Sequence, residues 1–259
     1  MVKLKNYNVV LSYFVLFLTF ILGVSCSQQK LYVTKIEGKE IGITNQYQEV
    51  AAIEQFIKPY REHIDQDLST VLAMAPQTLD KNGEWQTAMG NMFSDAVMLK
   101  GNPVFMAREK KSMDLVLLNH GGIRSIIPQG DVTARTAFEI MPFENSLVVI
   151  ALKGEQIEEM LQYIITEKKP HPSNGMTFTI DKNNVAKDIL IQGKPFLRAN
   201  VYYVGTNDYL SNGGDNMNFF KKGIQKYDLD YKLRNILIDY FKDVDTVSIV
   251  NDTRISVEK

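Results

Sequence analysis

A single cysteine, Cys26, stands in a chain of 259 residues. No intrachain disulfide can form, so stability has to come from a hydrophobic core. A basic excess is also missing, with 29 lysines and arginines against 30 aspartates and glutamates. That balance argues against wholesale binding of nucleic acid. Neither of the two Gly-Gly loops, at 121–122 and 213–214, continues into the Lys-Ser/Thr ending of a P-loop. Ser125 and Ser146 have no His/Asp partner pattern, so no nucleophile is evident. No internal repeat and no low-complexity tract is present.

The N-terminus carries a targeting pattern. Lys3 and Lys5 form a basic n-region, and "VVLSYFVLFLTFIL" is an apolar h-region, long enough for a signal peptide and short for a membrane span. Cys26 follows directly after small residues, as in a bacterial lipobox, although Gly23 stands where leucine is usual. This reading divides the chain into a signal peptide over 1–25, a tether with a short β-like segment over 26–47, and one domain over 48–259. It makes Cys26 the lipidation site of an exported, membrane-anchored lipoprotein facing the periplasm. An ordinary secretory signal with an incidental cysteine is the alternative.

Apolar positions Val50, Ile53, Phe56, Ile57, Tyr60 and Ile64 recur at helical spacing, with Pro59 marking a kink or a start. A second helix runs over 84–101 with Met89, Met92, Phe93 and Val97 as its apolar face and Gly101 as a stop. Strands are expected at 114–118, 145–152, 175–181, 186–193 and 200–207. Helices open at Thr133 and Gly154, a loop covers 207–217, an amphipathic helix covers 228–242, and strand character closes the chain. Irregular interleaving of this kind predicts an α+β fold, a mixed β-sheet layered with α-helices.

Two stretches carry chemistry. In "NHGGIR", Gly121 and Gly122 permit close backbone approach, and Arg124 adds a planar fork of donors suited to phosphate or carboxylate. In "NDYLSNGGDN", Gly213 and Gly214 turn the chain and Asp215 follows as an acceptor for ribose hydroxyls or a base edge. Phe143 and Tyr209 sit in polar, loop-like contexts where two aromatics can clamp a flat base. Each feature also has a plainer reading: tight turns for the glycine pairs, core anchors for the aromatics, and a satisfied loop histidine for His120.

Taken together, "NHGGIRSIIPQGDVTARTAFEIMPFENSLVVIALKGEQIEEML" resembles the substrate-binding, C-terminal domain of the 5′-nucleotidase family. "QTAMGNMFSDAVM" is similar to that family's Met-Gly-Asn helix, and "YYVGTNDYLSNGGDNMNFF" to its closing Gly-Gly-Asp block. The resemblance covers about 48–255. It implies that Asn119 and Arg124 contact the phosphate-and-ribose side of a nucleotide or nucleoside and that Phe143 and Tyr209 stack on the base. Asp215 would bind ribose hydroxyls. Tyr209 occupies a position often filled by phenylalanine. A further arginine that the family often has ahead of the Met-Gly-Asn helix is missing from "NGEWQ", Asn82 to Gln86.

In this family hydrolysis belongs to a separate metallophosphatase domain with two divalent metals held by Asp-x-His, Gly-Asp-x-x-Asp and Gly-Asn-His patterns. His63, His120 and His171 lie in none of these. The resemblance therefore implies no catalytic residue and no cofactor in this chain, and divalent metals on a partner metallophosphatase chain. It implies a specificity subunit, with a non-enzymatic nucleotide-capture lipoprotein and a pocket-decayed interaction domain as alternatives.

Overall fold

The computed structural model describes residues 7–23, 32–44, 46–249 and 252–258. The chain divides into two units, Met1–Ala51 and Ala52–Lys259. In the first, helix α1 (Tyr7–Gly23) covers the h-region, and among the described residues no helix is long and apolar enough to cross a membrane. Cys26 lies outside the described residues. The β-like run expected before residue 47 is not a strand: residues 32–44 have no regular structure. Tyr32, Val33, Ile36, Ile41 and Ile43 are all exposed there. Apolar alternation makes a strand only when a neighbour takes up its backbone hydrogen bonds, and among the described residues none pairs with this segment.

The second unit opens with α2 (Ala51–Leu68), which runs through Pro59 and buries none of its residues. Strand β1 (Val71–Ala75) follows. Helix α3 (Ala88–Glu109) is capped by Thr87, whose hydroxyl accepts from the Gly90 N–H at 2.8 Å. It runs past Gly101, the expected stop, and ends only at left-handed Lys110. Gly101 is a packing residue: a Cβ there would collide with the Leu147 side chain.

Then come β2 (Leu115–Leu117), β3 (Gly130–Thr133), which pairs with β1, and α4 (Ala134–Ile140), which starts in a Thr133/Thr136 capping box. Next are β4 (Ser146–Lys153), α5 (Gly154–Glu167), β5 (Ser173–Asn174), β6 (Met176–Ile180), β7 (Ala186–Ile191), β8 (Lys194–Pro195) and β9 (Val201–Asn207). A short α6 (Asp208–Ser211) opens the stretch expected to be a loop. Strand β10 (Gln225–Lys232), α7 (Leu233–Asp243) and β11 (Ile255–Val257) complete the unit.

The amphipathic helix expected over 228–242 is thus half strand. Tyr227 and Leu229 are buried between exposed Asp228 and Asp230, a period of two, and only Leu233 onward follows the helical period.

A five-stranded sheet in the order β10-β4-β9-β2-β5 forms the centre, and a four-stranded sheet, β11-β6-β7-β8, packs beside α5. Side chains of β4 alternate between two cores. Leu147 and Val149 face α3 and α7, while Val148, Ile150 and Leu152 face α5. The fold is α+β, with helices on both faces of a mixed sheet. Strands β2 and β9 run parallel, and antiparallel β4 begins at Ser146 beside the end of β9, Leu147 opposite Asn207. The segments after β2, before β4 and after β9 therefore all emerge at one edge.

Candidate functional site

That edge holds a cavity of about 300 Å³ lined by Asn119, Gly121, Gly122, Arg124, Phe143, Asn145, Tyr209 and Asp215. Asn119 leaves β2, and His120–Gly122 coil into one turn of 3₁₀ helix. Phe143 and Asn145 lead into β4, and Tyr209 and Asp215 follow β9. Of the residues expected from sequence, only Gly213 and Gly214 stand off the cavity wall; they shape the turn that presents Asp215. Gly213 has φ +85°, and a Cβ on Gly214 would come within 2.5 Å of the Tyr209 ring. Asn145 was missed, although its signal lay in the quoted "MPFENS".

The Asp215 carboxylate is held from both sides. Asn119 Nδ2 donates to Oδ2 at 2.7 Å and Tyr209 OH donates to Oδ1 at 2.8 Å. The Tyr163 hydroxyl donates to the Asp215 carbonyl at 2.7 Å. Burial, with Glu167 and Asp215 nearby, pushes the Tyr163 phenol up to about 12, so it stays a donor at neutral pH. Asp215 itself sits at φ 50°, in the left-handed region. Four hydrogen bonds, these three and one from its own backbone N–H to the Tyr209 hydroxyl at 3.2 Å, together with a flanking glycine pair hold it there, which fixes an acceptor at the cavity wall. The tyrosine at 209 thus does more than a phenylalanine could: its ring lines the cavity and its hydroxyl orients the carboxylate. Asn119, buried, spends an amide donor on Asp215.

Arg124 bonds only weakly to the Gly121 carbonyl, at 3.3 Å, and its guanidinium lies 5.9 Å from the Phe143 ring centre. Among the described residues it has no carboxylate partner. Phe143 and Tyr209 are 43% and 48% exposed, so they are not core anchors.

A second cation, not singled out in the sequence, sits beside this one. Lys81 Nζ donates to the Ile123 carbonyl at 2.6 Å. Burial lowers its pKa, and the charge of Arg124 lowers it further. Trp85, in the segment where the family arginine is missing, packs against the α5-side core and does not reach the cavity. Among the described residues no group of three or more His, Cys, Asp or Glu side chains is placed to hold a metal ion.

The site can therefore present an oriented carboxylate, an unpaired guanidinium with a lysine nearby, and two exposed rings around a space of nucleoside size. Comparison with known proteins bears on the family and the fold. The family model described as "5′-nucleotidase, C-terminal domain" matches residues 67–222. The trifunctional nucleotide phosphoesterase protein YfkN of Bacillus subtilis is 27% identical over 172 residues, 61% of this chain and 11% of its own length. A 5′-nucleotidase of Vibrio cholerae is 24% identical over 189 residues, 69% of this chain and 32% of its own. The chain thus spans less than a third of the length of these curated relatives.

Among solved structures, the 5′-nucleotidase precursor of Thermus thermophilus superposes with a TM-score of 0.66 at 23% identity, over 79% of this chain and 42% of that one. The NAD nucleotidase NadN of Haemophilus influenzae superposes with a TM-score of 0.60 at 16% identity, over 81% of this chain and 42% of its own. At such identities the superpositions speak for the fold alone, and the family match, which covers more than half of the chain, decides membership. This chain belongs to the 5′-nucleotidase C-terminal domain family.

Proposed function

We propose that this chain is the nucleotide- or nucleoside-binding specificity component of a 5′-nucleotidase-type phosphohydrolase, with hydrolysis performed by a metallophosphatase on a separate chain. One observation carries the reading: the aromatic pair, the oriented Asp215 and the unpaired Arg124 converge on one cavity. A base between Phe143 and Tyr209 places ribose hydroxyls toward Asp215 and a phosphate toward Arg124 and Lys81. Stacking supplies roughly 1–3 kcal/mol per ring on the scale of base–aromatic contacts. The test is calorimetric titration with AMP and adenosine, on the native sequence and on Arg124→Ala. Arginine loss weakens AMP more than adenosine on this reading; equal losses for both ligands count against a phosphate role.

The exposed row on α2, Ile53, Phe56, Tyr60 and Ile64, is the surface we assign to the catalytic partner. Deleting 48–65 abolishes association with that partner and leaves ligand binding; association that survives the deletion rejects the assignment. We further propose export through the N-terminal signal and lipidation at Cys26. Labelled fatty acid enters the native chain and not Cys26→Ser; equal labelling of both rules this out.

A further inference from the structure

Phe143 lines the cavity with an exposed ring, so core packing does not set where it points. Its neighbours Pro142 and Glu144 are exposed as well. The direction of the ring then depends on how the backbone on either side is held.

That backbone is held from one place. Lys232 Nζ donates to the Glu144 carbonyl at 2.9 Å and to the Ser146 hydroxyl at 2.9 Å. The Leu233 N–H donates to the Asn145 carbonyl at 2.9 Å. Arg234 uses both arms of its guanidinium: Nη1 donates to the Pro142 carbonyl at 3.4 Å, and Nη2 donates to the Glu144 carboxylate. Three consecutive residues thus grip Pro142, Glu144, Asn145 and Ser146, and Phe143 is bracketed between two of these anchors. The bulge in β10 lets them reach. Lys232 stands opposite Ser146 and Asp228 opposite Val148, so β10 uses more residues than β4 over the same stretch. Asp230, inside the bulge, takes φ 45°, in the left-handed region. A bulge of this kind re-aims the strand end, and α7 begins beside the segment that leads into β4.

Arg234 is itself fixed. It is 8% exposed, and its guanidinium carbon lies 4.2 Å from the Phe138 ring centre on α4. Its planar fork matches a carbonyl and a carboxylate together, which a lysine could not do. Hydrogen bonding from Arg234, then its charge, lowers the Glu144 pKa, with Lys232 adding, so the pair is ionised at neutral pH. Glu144 stands in sequence between Phe143 and Asn145, which line the cavity, yet it is not on the wall. Bonded to Arg234, it is kept from a position where its charge would repel a phosphate.

We propose that Arg234 is a positioning residue for ligand binding: its bonds to Pro142 and Glu144 hold the Phe143 ring ready to stack on a base. The proposal rests on the nucleotide-binding reading of the cavity. Arg234 touches no ligand. It acts through Phe143, by sparing the ligand the cost of ordering an exposed segment.

The test is a double-mutant cycle on the full-length chain in detergent, read by calorimetry with AMP and adenosine. It compares the native sequence, Arg234→Gln, Phe143→Ala and the double variant. Hydrogen exchange over residues 143–146 reads the segment without ligand. Arg234→Gln weakens both ligands alike, by about threefold to tenfold, and speeds exchange; in the Phe143→Ala background the same change costs less than about twofold. The cycle is repeated with Glu144→Gln, a change at an exposed side chain that reports even where Arg234→Gln fails to fold. It moves both readouts in the same direction by a smaller amount. Losses that add across the cycles overturn the proposal, because Arg234 then does not act through Phe143. A lower melting temperature with native affinity and native exchange also overturns it, assigning Arg234 to stability and leaving the nucleotide reading intact. No heat from the native chain with either ligand rejects the nucleotide reading, and the positioning role falls with it.

Discussion

At the scale of single residues, the account turns on how Asp215 is held. A carboxylate oriented by Asn119 and Tyr209, on a backbone whose carbonyl Tyr163 holds, meets a ligand without first losing its own freedom. Tyr209→Phe keeps the ring and removes a charge-assisted hydrogen bond to the carboxylate and a weaker one from the Asp215 N–H, a change on the scale of about 1.5–3 kcal/mol. Adenosine and AMP should lose affinity together, by roughly tenfold or more; a loss confined to AMP contradicts the assignment of Asp215 to the ribose. Lys81→Ala should behave the opposite way, lowering affinity for AMP and sparing adenosine, because its charge acts on the Arg124 guanidinium.

His171 gives a pH signature. Burial, with Lys169 and His120 adding, depresses its pKa from 6.5 to about 4, so between those values the unfolded chain binds the proton that the folded chain refuses. Its contribution is complete above pH 6.5 and is lost as pH falls toward 4, by up to about 3 kcal/mol. Thermal unfolding of His171→Gln should therefore fall less steeply than the native chain's across that window; parallel slopes would show that His171 is protonated in the fold.

Much of this site was legible from the residues. Asn119, Gly121, Gly122, Arg124, Phe143, Tyr209 and Asp215 line the cavity because the segments that carry them leave β2, lead into β4 and leave β9 at one edge of the sheet. Lys81 was not legible. It arrives from the loop after β1, some forty residues away from Ile123 in sequence, and long-range contact leaves no local pattern.

At the scale of elements, the same limits recur. Helices α4 and α5 announced their starts through Thr133 and Gly154, and β4 and β9 through continuous apolar runs buried on both faces. The errors came where tertiary packing overrode a local signal. Gly101 reads as a stop, but α3 needs it to approach β4 closely. Gly101→Ala should destabilise the unit by about 1–3 kcal/mol, as overpacking does, and lower the melting temperature; an unchanged melting temperature would mean α3 can shift away from Leu147. The alternation of Tyr227 and Leu229 reads as part of the amphipathic helix that follows, until β4 is there to pair with it. Residues 32–44 show the converse, with strand-like composition and no partner.

At the scale of the whole molecule, family membership brings the fold of a 5′-nucleotidase C-terminal domain, while the chain spans less than a third of its curated relatives YfkN and the Vibrio cholerae enzyme. The described residues contain a built pocket and no cluster of metal-binding side chains. The proposed role as a specificity component makes the pocket's binding ability the central claim. The most direct measurement is calorimetric titration of the full-length chain with AMP, side by side with Phe143→Ala. The account predicts saturable binding that Phe143→Ala weakens about tenfold, the worth of one stacked ring. Absence of heat and of thermal stabilisation with AMP, adenosine and ADP-ribose alike would contradict it, leaving the edge of the β4-β9-β2 sheet as architecture alone.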